Sequence, residues 1–213
     1  GDNSGTGSTN GSSENYASWN WKGANGTASN GDGSITSTVS VNTTAGFSIV
    51  SYTGTGANAT VGHGLGVAPN MIINKCRSAS QNWATYHSSL GGTKALFLDG
   101  TDAETTSSSY FNDTAPTTSV FTVGTSGDTN KSSQTHISYC FAEKKGYSKF
   151  GKYVGNGNAD GTFVYTGFAP AFVLSKCTSH AGENWNINDN KRPGHNVIQN
   201  ALLPDSTAAE VTA

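Results

Sequence analysis

The residues with chemical potential are five histidines (His63, His87, His136, His180 and His195), three cysteines, a run of acids and four tryptophans. Nucleophilic catalysis needs a Ser or Cys brought together with a His and an orienting acid. No serine stands in a nucleophile-elbow pattern, so the histidines read as ordinary core or surface residues. Asp99, Asp102, Glu104 and Asp113 are the candidates for a glycosidase carboxylate pair. They lie in turn-rich segments, where acids commonly cap turns. The expectation is a protein that is not an enzyme and needs no cofactor.

Asn156, Asn158 and Asp160, followed by Gly161, alternate oxygen ligands in the manner of a calcium loop. Position 167, where a closing Glu belongs, is Gly167, so the segment reads as a hairpin turn and no metal is expected. A glycan platform needs a ring for the sugar face and fixed polar groups for its hydroxyls. Trp83 with Tyr86, and Trp185 with Asn186, supply those types. The same alternation would equally turn these residues into a sandwich core. Cys76, Cys140 and Cys177 are an odd set without CxxC spacing, and they read as small buried apolar residues.

These residues sit on a duplicated framework. Gly54 to Cys76 reads GTGANATVGHGLGVAPNMIINKC, and Gly155 to Cys177 reads GNGNADGTFVYTGFAPAFVLSKC. Both carry a glycine pair, an Ala-Pro, an apolar run and a closing Lys-Cys. Gly46-Phe47-Ser48 returns as Gly146-Tyr147-Ser148, and Asn82-Trp83 as Asn184-Trp185. Leu98 to Glu104 is loosely echoed by Leu203 to Glu210. A period near one hundred residues marks a duplicated domain, since solenoid repeats are shorter.

Charged residues make up 12% of the chain and aromatic ones 10%, a balance that favours folding over disorder. The abundance of Gly, Ser, Thr and Asn suits short strands joined by tight turns. A net charge of −2 offers no footprint for nucleic acid, and no apolar run is long enough for membrane insertion.

Apolar alternation predicts strands at Phe47–Tyr52, Met71–Cys76, Trp83–His87, Ala95–Leu98, Val120–Val123 and Ile137–Phe141. The expected fold is mostly β, built from tandem antiparallel β-sandwich repeats of jelly-roll type, the second incomplete. Residues 46–145 form the first repeat and 146–213 the second. Residues 23–45 are an insertion or linker, with Ile35 to Val41 as a loop or an edge strand. Gly7 to Lys22 aligns without a gap on Gly127 to Ala142, so residues 1–22 read as the terminal strand of a preceding repeat. Residues 196 to 203 are compatible with one helical turn. Either the chain is a window on a longer polypeptide, or strands from a neighbour or from its own start complete the second repeat.

Gly46-Phe-Ser-Ile-Val-Ser-Tyr-Thr-Gly54, Val61-Gly-His-Gly-Leu-Gly-Val-Ala-Pro69 and Ser138-Tyr-Cys-Phe-Ala-Glu143 carry a resemblance. So do Lys152-Tyr-Val-Gly-Asn-Gly157, Gly167-Phe-Ala-Pro170 and Asp189-Asn-Lys-Arg192. Together they resemble a repeated domain of uncharacterised function in tail-fibre-like and other surface proteins of tailed phages, mostly marine. The likeness covers residue 46 onward, and residues 7 to 22 more weakly. It implies a virion surface protein, a fibre or decoration component, whose partners are other virion proteins or copies of itself, with host-surface glycan as the ligand for adhesion. It supplies no catalytic residues. The alternatives are a secreted bacterial adhesin or filament subunit completed by strand exchange, and a carbohydrate-active enzyme.

Overall fold

Val, Ile, Tyr and Phe recur at alternate positions in short runs bounded by Gly, Asn and Ser, which is the pattern of strands covered on one face. A computed structural model describes residues 11–13, 15–192 and 200–212. It is mostly β, 34% strand against 4% helix, with no closed barrel. In the first unit the strands are β1 (Ala28–Asn30), β2 (Ser37–Asn42), β3 (Phe47–Thr53), β4 (Ala59–Gly62), β5 (Met71–Cys76), β6 (Ala84–His87), β7 (Lys94–Phe97), β8 (Thr105–Thr106), β9 (Val120–Val123) and β10 (Thr135–Phe141). Two single-turn helices, α1 (Ser108–Phe111) and α2 (Gly127–Asn130), interrupt them. Each expected strand of the first repeat is present to within two residues at either end.

An eight-stranded sheet runs β1-β2-β3-β10-β5-β6-β7-β8, every neighbour antiparallel. The last strand in sequence is thus central in space. Thr135–Phe141 lies against Thr53–Phe47 on one side, and His136–Phe141 against Cys76–Met71 on the other. The covered face carries Val39, Val50, Tyr52, Ile72, Tyr86 and Cys140. A second layer, the β4–β9 pair, lays Val61, Phe121 and Val123 over them, and Phe111 of α1 seals one side. The segment 23–45 is no linker. β1 is the sheet edge and β2 lies between it and β3, so Ile35 to Val41 is neither a loop nor an edge strand, and Ile35 and Val39 are in the core.

The second unit holds β11 (Phe172–Lys176), β12 (Trp185–Asp189), β13 (Asn200–Ala201) and β14 (Val211–Thr212). Their pairings copy the first unit. Phe172↔Asp189 stands for Met71↔His87, and Ser175↔Asn186 for Asn74↔Ala84. The Ile187↔Leu202 bridge stands for Thr85↔Leu96, and Asn200↔Thr212 for Lys94↔Thr106. The turn glycines recur as well: Gly46 and Gly146 have φ of 67° and 76°, and Gly66 and Gly167 have 73° and 80°. Both pairs need the left-handed region open to glycine. Of the residues expected in a helical turn, 196–199 lie outside the described set and Asn200–Ala201 form β13.

Two expectations are corrected. Residues 16–21 belong to no strand; their aromatics lie across β11 instead, Trp19 and Trp21 meeting Phe172 edge-on at 5.8 and 5.4 Å. Cys177, unlike Cys76 and Cys140, is exposed, because no second layer covers β11 among the described residues. Val173 is 44% exposed where its counterpart Ile72 is fully buried.

That contrast is measurable. Ile72→Ala removes packed methyls and should cost about 2–5 kcal/mol in urea unfolding. Val173→Ala, at the same strand position of the second unit, should stay within about 0.5 kcal/mol. Equal costs would mean that β11 is covered in solution.

Candidate functional site

Strand periodicity separates the four proposed glycan contacts. On β6, Tyr86 points into the core, 3% exposed, with its ring edge-on to Phe111 at 5.7 Å, and burial raises its phenol pKa. Trp83, just before β6, faces the other way and is half-buried. Its backbone N–H donates to Asp99 at 2.9 Å, and the Lys75 ammonium lies 5.4 Å above its ring. Asn186 is half-buried, its amide donating to the Asn184 carbonyl at 3.4 Å. The four residues do not form one platform.

Trp185 occupies a different kind of site. It is 4% exposed, and its indole N–H donates 2.7 Å to the carbonyl of Phe97 in the first unit. Around it the two units interlock through backbone groups. Gly182 N–H donates to the Thr101 carbonyl at 2.9 Å, and Glu104 N–H to the Thr178 carbonyl at 2.9 Å. The Lys176 ammonium reaches the Thr101 carbonyl at 3.3 Å and the Glu183 carbonyl at 2.6 Å. Sequence reading marked Trp185 but not its partners, because carbonyls carry no sequence signal.

The remaining candidates have structural duties. Asn156 accepts from Asn158 N–H at 3.0 Å and donates to the Asp160 carbonyl at 2.9 Å, a self-contained exposed turn. Glu104 pairs with Lys94 at 2.9 Å. His195 lies outside the described residues, and His63 is buried with its ring 3.2 Å from the Thr117 carbonyl.

His136 belongs to a buried polar cluster. Its Nε2 accepts from Lys131 N–H at 3.1 Å, so the neutral ring carries its proton on Nδ1, facing Asn74 Oδ1 at 3.2 Å. Asn74 donates in turn to the Tyr52 hydroxyl at 2.6 Å and to the Ser138 hydroxyl at 2.7 Å. The Tyr52 hydroxyl donates to the Thr129 carbonyl at 2.5 Å. Burial is the main cause that pushes the His136 pKa down to about 4.

One group escaped the sequence reading. Cys177 lies 3.8 Å from Ser179 Oγ and 4.0 Å from His180 Nδ1. Hydrogen bonding from Ser179, and then from His180, brings its thiol down to about 7. Such a thiol is partly thiolate at neutral pH and nucleophilic.

Fold and geometry define a mostly β protein in which strand-matched units pack against one another. The chain belongs to the family described as Domain of unknown function (DUF7483), whose model matches residues 1–213. No curated protein and no solved structure matches the chain.

Two measurements follow. Iodoacetamide should label one thiol of the native protein, with a rate half-maximal near pH 7, and Cys177→Ser should abolish that labelling; native labelling of Cys76 or Cys140 would contradict their burial. For His136, the unfolded chain binds a proton below about pH 6.5 that the folded chain refuses until about pH 4. Stability should therefore fall as pH drops through that window, with His63 and His87 shifted in the same direction by burial. Urea midpoints that stay level from pH 7 to 4.5 would contradict a neutral buried His136.

Proposed function

We propose that this chain is a structural surface protein, a fibre or decoration component of a virion, in which repeated β units are stacked and their turns displayed outward. The observation that carries the reading is the interlock of the second unit on the first through Trp185, Lys176 and the Thr101–Glu104 turn. Units that hold one another by backbone hydrogen bonds and one buried indole suit an extended, load-sharing array. Adhesion to host-surface glycan fits the segment around Asn156 and Asn158, where Tyr153 and Tyr165 are 60% and 76% exposed. Exposed rings beside amides are what a sugar face and its hydroxyls require.

A second reading, an extracellular adhesin or filament subunit completed by strand exchange, draws on the aromatics of residues 19 and 21 against Phe172. β11 pairs with β12 alone among the described residues, leaving an edge that an added strand could take.

Mass spectrometry of particles purified from the virus that encodes this sequence tests the virion role. The chain should copurify with particles at a stoichiometry of several copies or more; its absence from them would sink the proposal. On a glycan array Tyr165→Ala should lose most of the wild-type signal, whereas an unchanged profile would remove that surface from the reading.

A further inference from the structure

Each unit also carries a counterpart of the half that it does not use in the interlock, engaged by no other unit among the described residues. On the second unit the plug consists of Lys176, the Thr178 carbonyl, Gly182 N–H and Trp185. On the first unit the socket consists of the carbonyls of Phe97 and Thr101 and the N–H of Glu104. Continuing the strand registers places the plug's counterparts at Lys75, Arg77 and Trp83 of the first unit. The socket's counterparts are Leu203, Thr207 and Glu210 of the second.

The spare halves match in their Trp, their Lys and the socket turn, while the plug loop is one residue shorter and has no counterpart of the left-handed Gly182. Lys75 donates to the Gln81 carbonyl as Lys176 donates to that of Glu183, and it lies over the Trp83 ring. Arg77, Ser80 and Asn82 are exposed, and Trp83 is half-buried. On the other side, Gly100 N–H closes the first socket's turn on the Phe97 carbonyl at 3.2 Å, and Ser206 N–H closes the second on Leu203 at 3.1 Å. Asp99 accepts from Trp83 N–H and Asp205 from Trp185 N–H, so each Trp is set by the same anchor. Thr207 and Ala208 are exposed.

We infer that the Trp83 face of one chain docks on the Leu203–Glu210 turn of a second copy, with the Trp83 indole N–H on the Leu203 carbonyl and Lys75 on the Thr207 carbonyl. The two faces differ, so the contact is heterologous and propagates head to tail, as a ring if the rotation closes and as a filament if it does not. This deepens the structural reading above by naming its partner, but its test is separate: particle content bears on the virion role and self-association on the contact.

The 213-residue chain should sediment as a concentration-dependent series of oligomers in analytical ultracentrifugation. Trp83→Ala should weaken association roughly thirtyfold, the effect expected of a central Trp anchor. Thr207→Trp, a bulky group on the exposed turn, should do likewise, and circular dichroism should show both variants folded. Mixing them is decisive: each keeps one sound face, so the mixture should form a heterodimer and nothing larger. A wild-type chain that stays monomeric, variants that associate like wild type, or a mixture that stays monomeric would each overturn the contact.

Discussion

The fold of the first unit depends on one strand arriving late. β3 and β5 never pair with each other; β10, about sixty residues beyond β5, enters between them and joins the two halves of the sheet. Its register is held by polar groups more than by hydrophobic bulk. His136, Ser138 and Cys140 point inward, and the first two engage Asn74, Tyr52 and the α2–β10 loop. A slip of one residue would turn all three outward and strand the partners of His136 and Ser138 without hydrogen bonds, in surroundings where each lost bond costs on the order of 1–3 kcal/mol. The cluster thus selects one pairing from several that alternation alone would allow. Because the ring of His136 is neutral and accepts a backbone N–H, that selection carries a pH dependence.

In the second unit the same hairpin has no counterpart of β10 among the described residues. Ser175 stands where Asn74 stands, Cys177 where Cys76 stands, and Asn188 where Tyr86 stands. The hairpin pairs in the same register, yet Val173 and Cys177 face solvent. Pairing is therefore local to the strands and their turns, whereas burial comes from the layer above. The reactivity of Cys177 follows from this difference. Its neighbours Ser179 and His180 lie exposed in the β11–β12 turn, within reach of the sulfur.

Much of the first unit was legible in the sequence, since period-two alternation at residues 47–52, 71–76 and 137–141 marks half-buried strands whatever surrounds them. The echo between Gly54–Cys76 and Gly155–Cys177 likewise foretold the matching registers. What alternation cannot say is which face is covered. Trp83 and Trp185 occupy equivalent positions behind equivalent Asn residues, but one is half-buried at the surface and the other sealed against Phe97. Tyr86 and Trp83 share a chemical type, but an offset of three places them on opposite faces of a strand. Residues 16–21 alternate as well as any strand here, yet Trp19 and Trp21 pack their rings on Phe172 instead of the segment pairing along an edge, and that is a property of the assembled sheet.

The contact between the two units rests on main-chain geometry. Nearly every bond across the junction ends on a main-chain atom: the carbonyls of Phe97, Thr101 and Thr178, and the N–H groups of Gly182 and Glu104. Turn backbone survives substitution so long as its conformation does, so the socket constrains geometry and leaves side chains free. That is why Gly100 can become Ser206, and Asp102 become Ala208, while the closing hydrogen bond stays within 0.1 Å. Side chains enter through the plug alone: the Trp185 indole N–H supplies one donor on a large apolar body, and the Lys176 ammonium bridges two carbonyls.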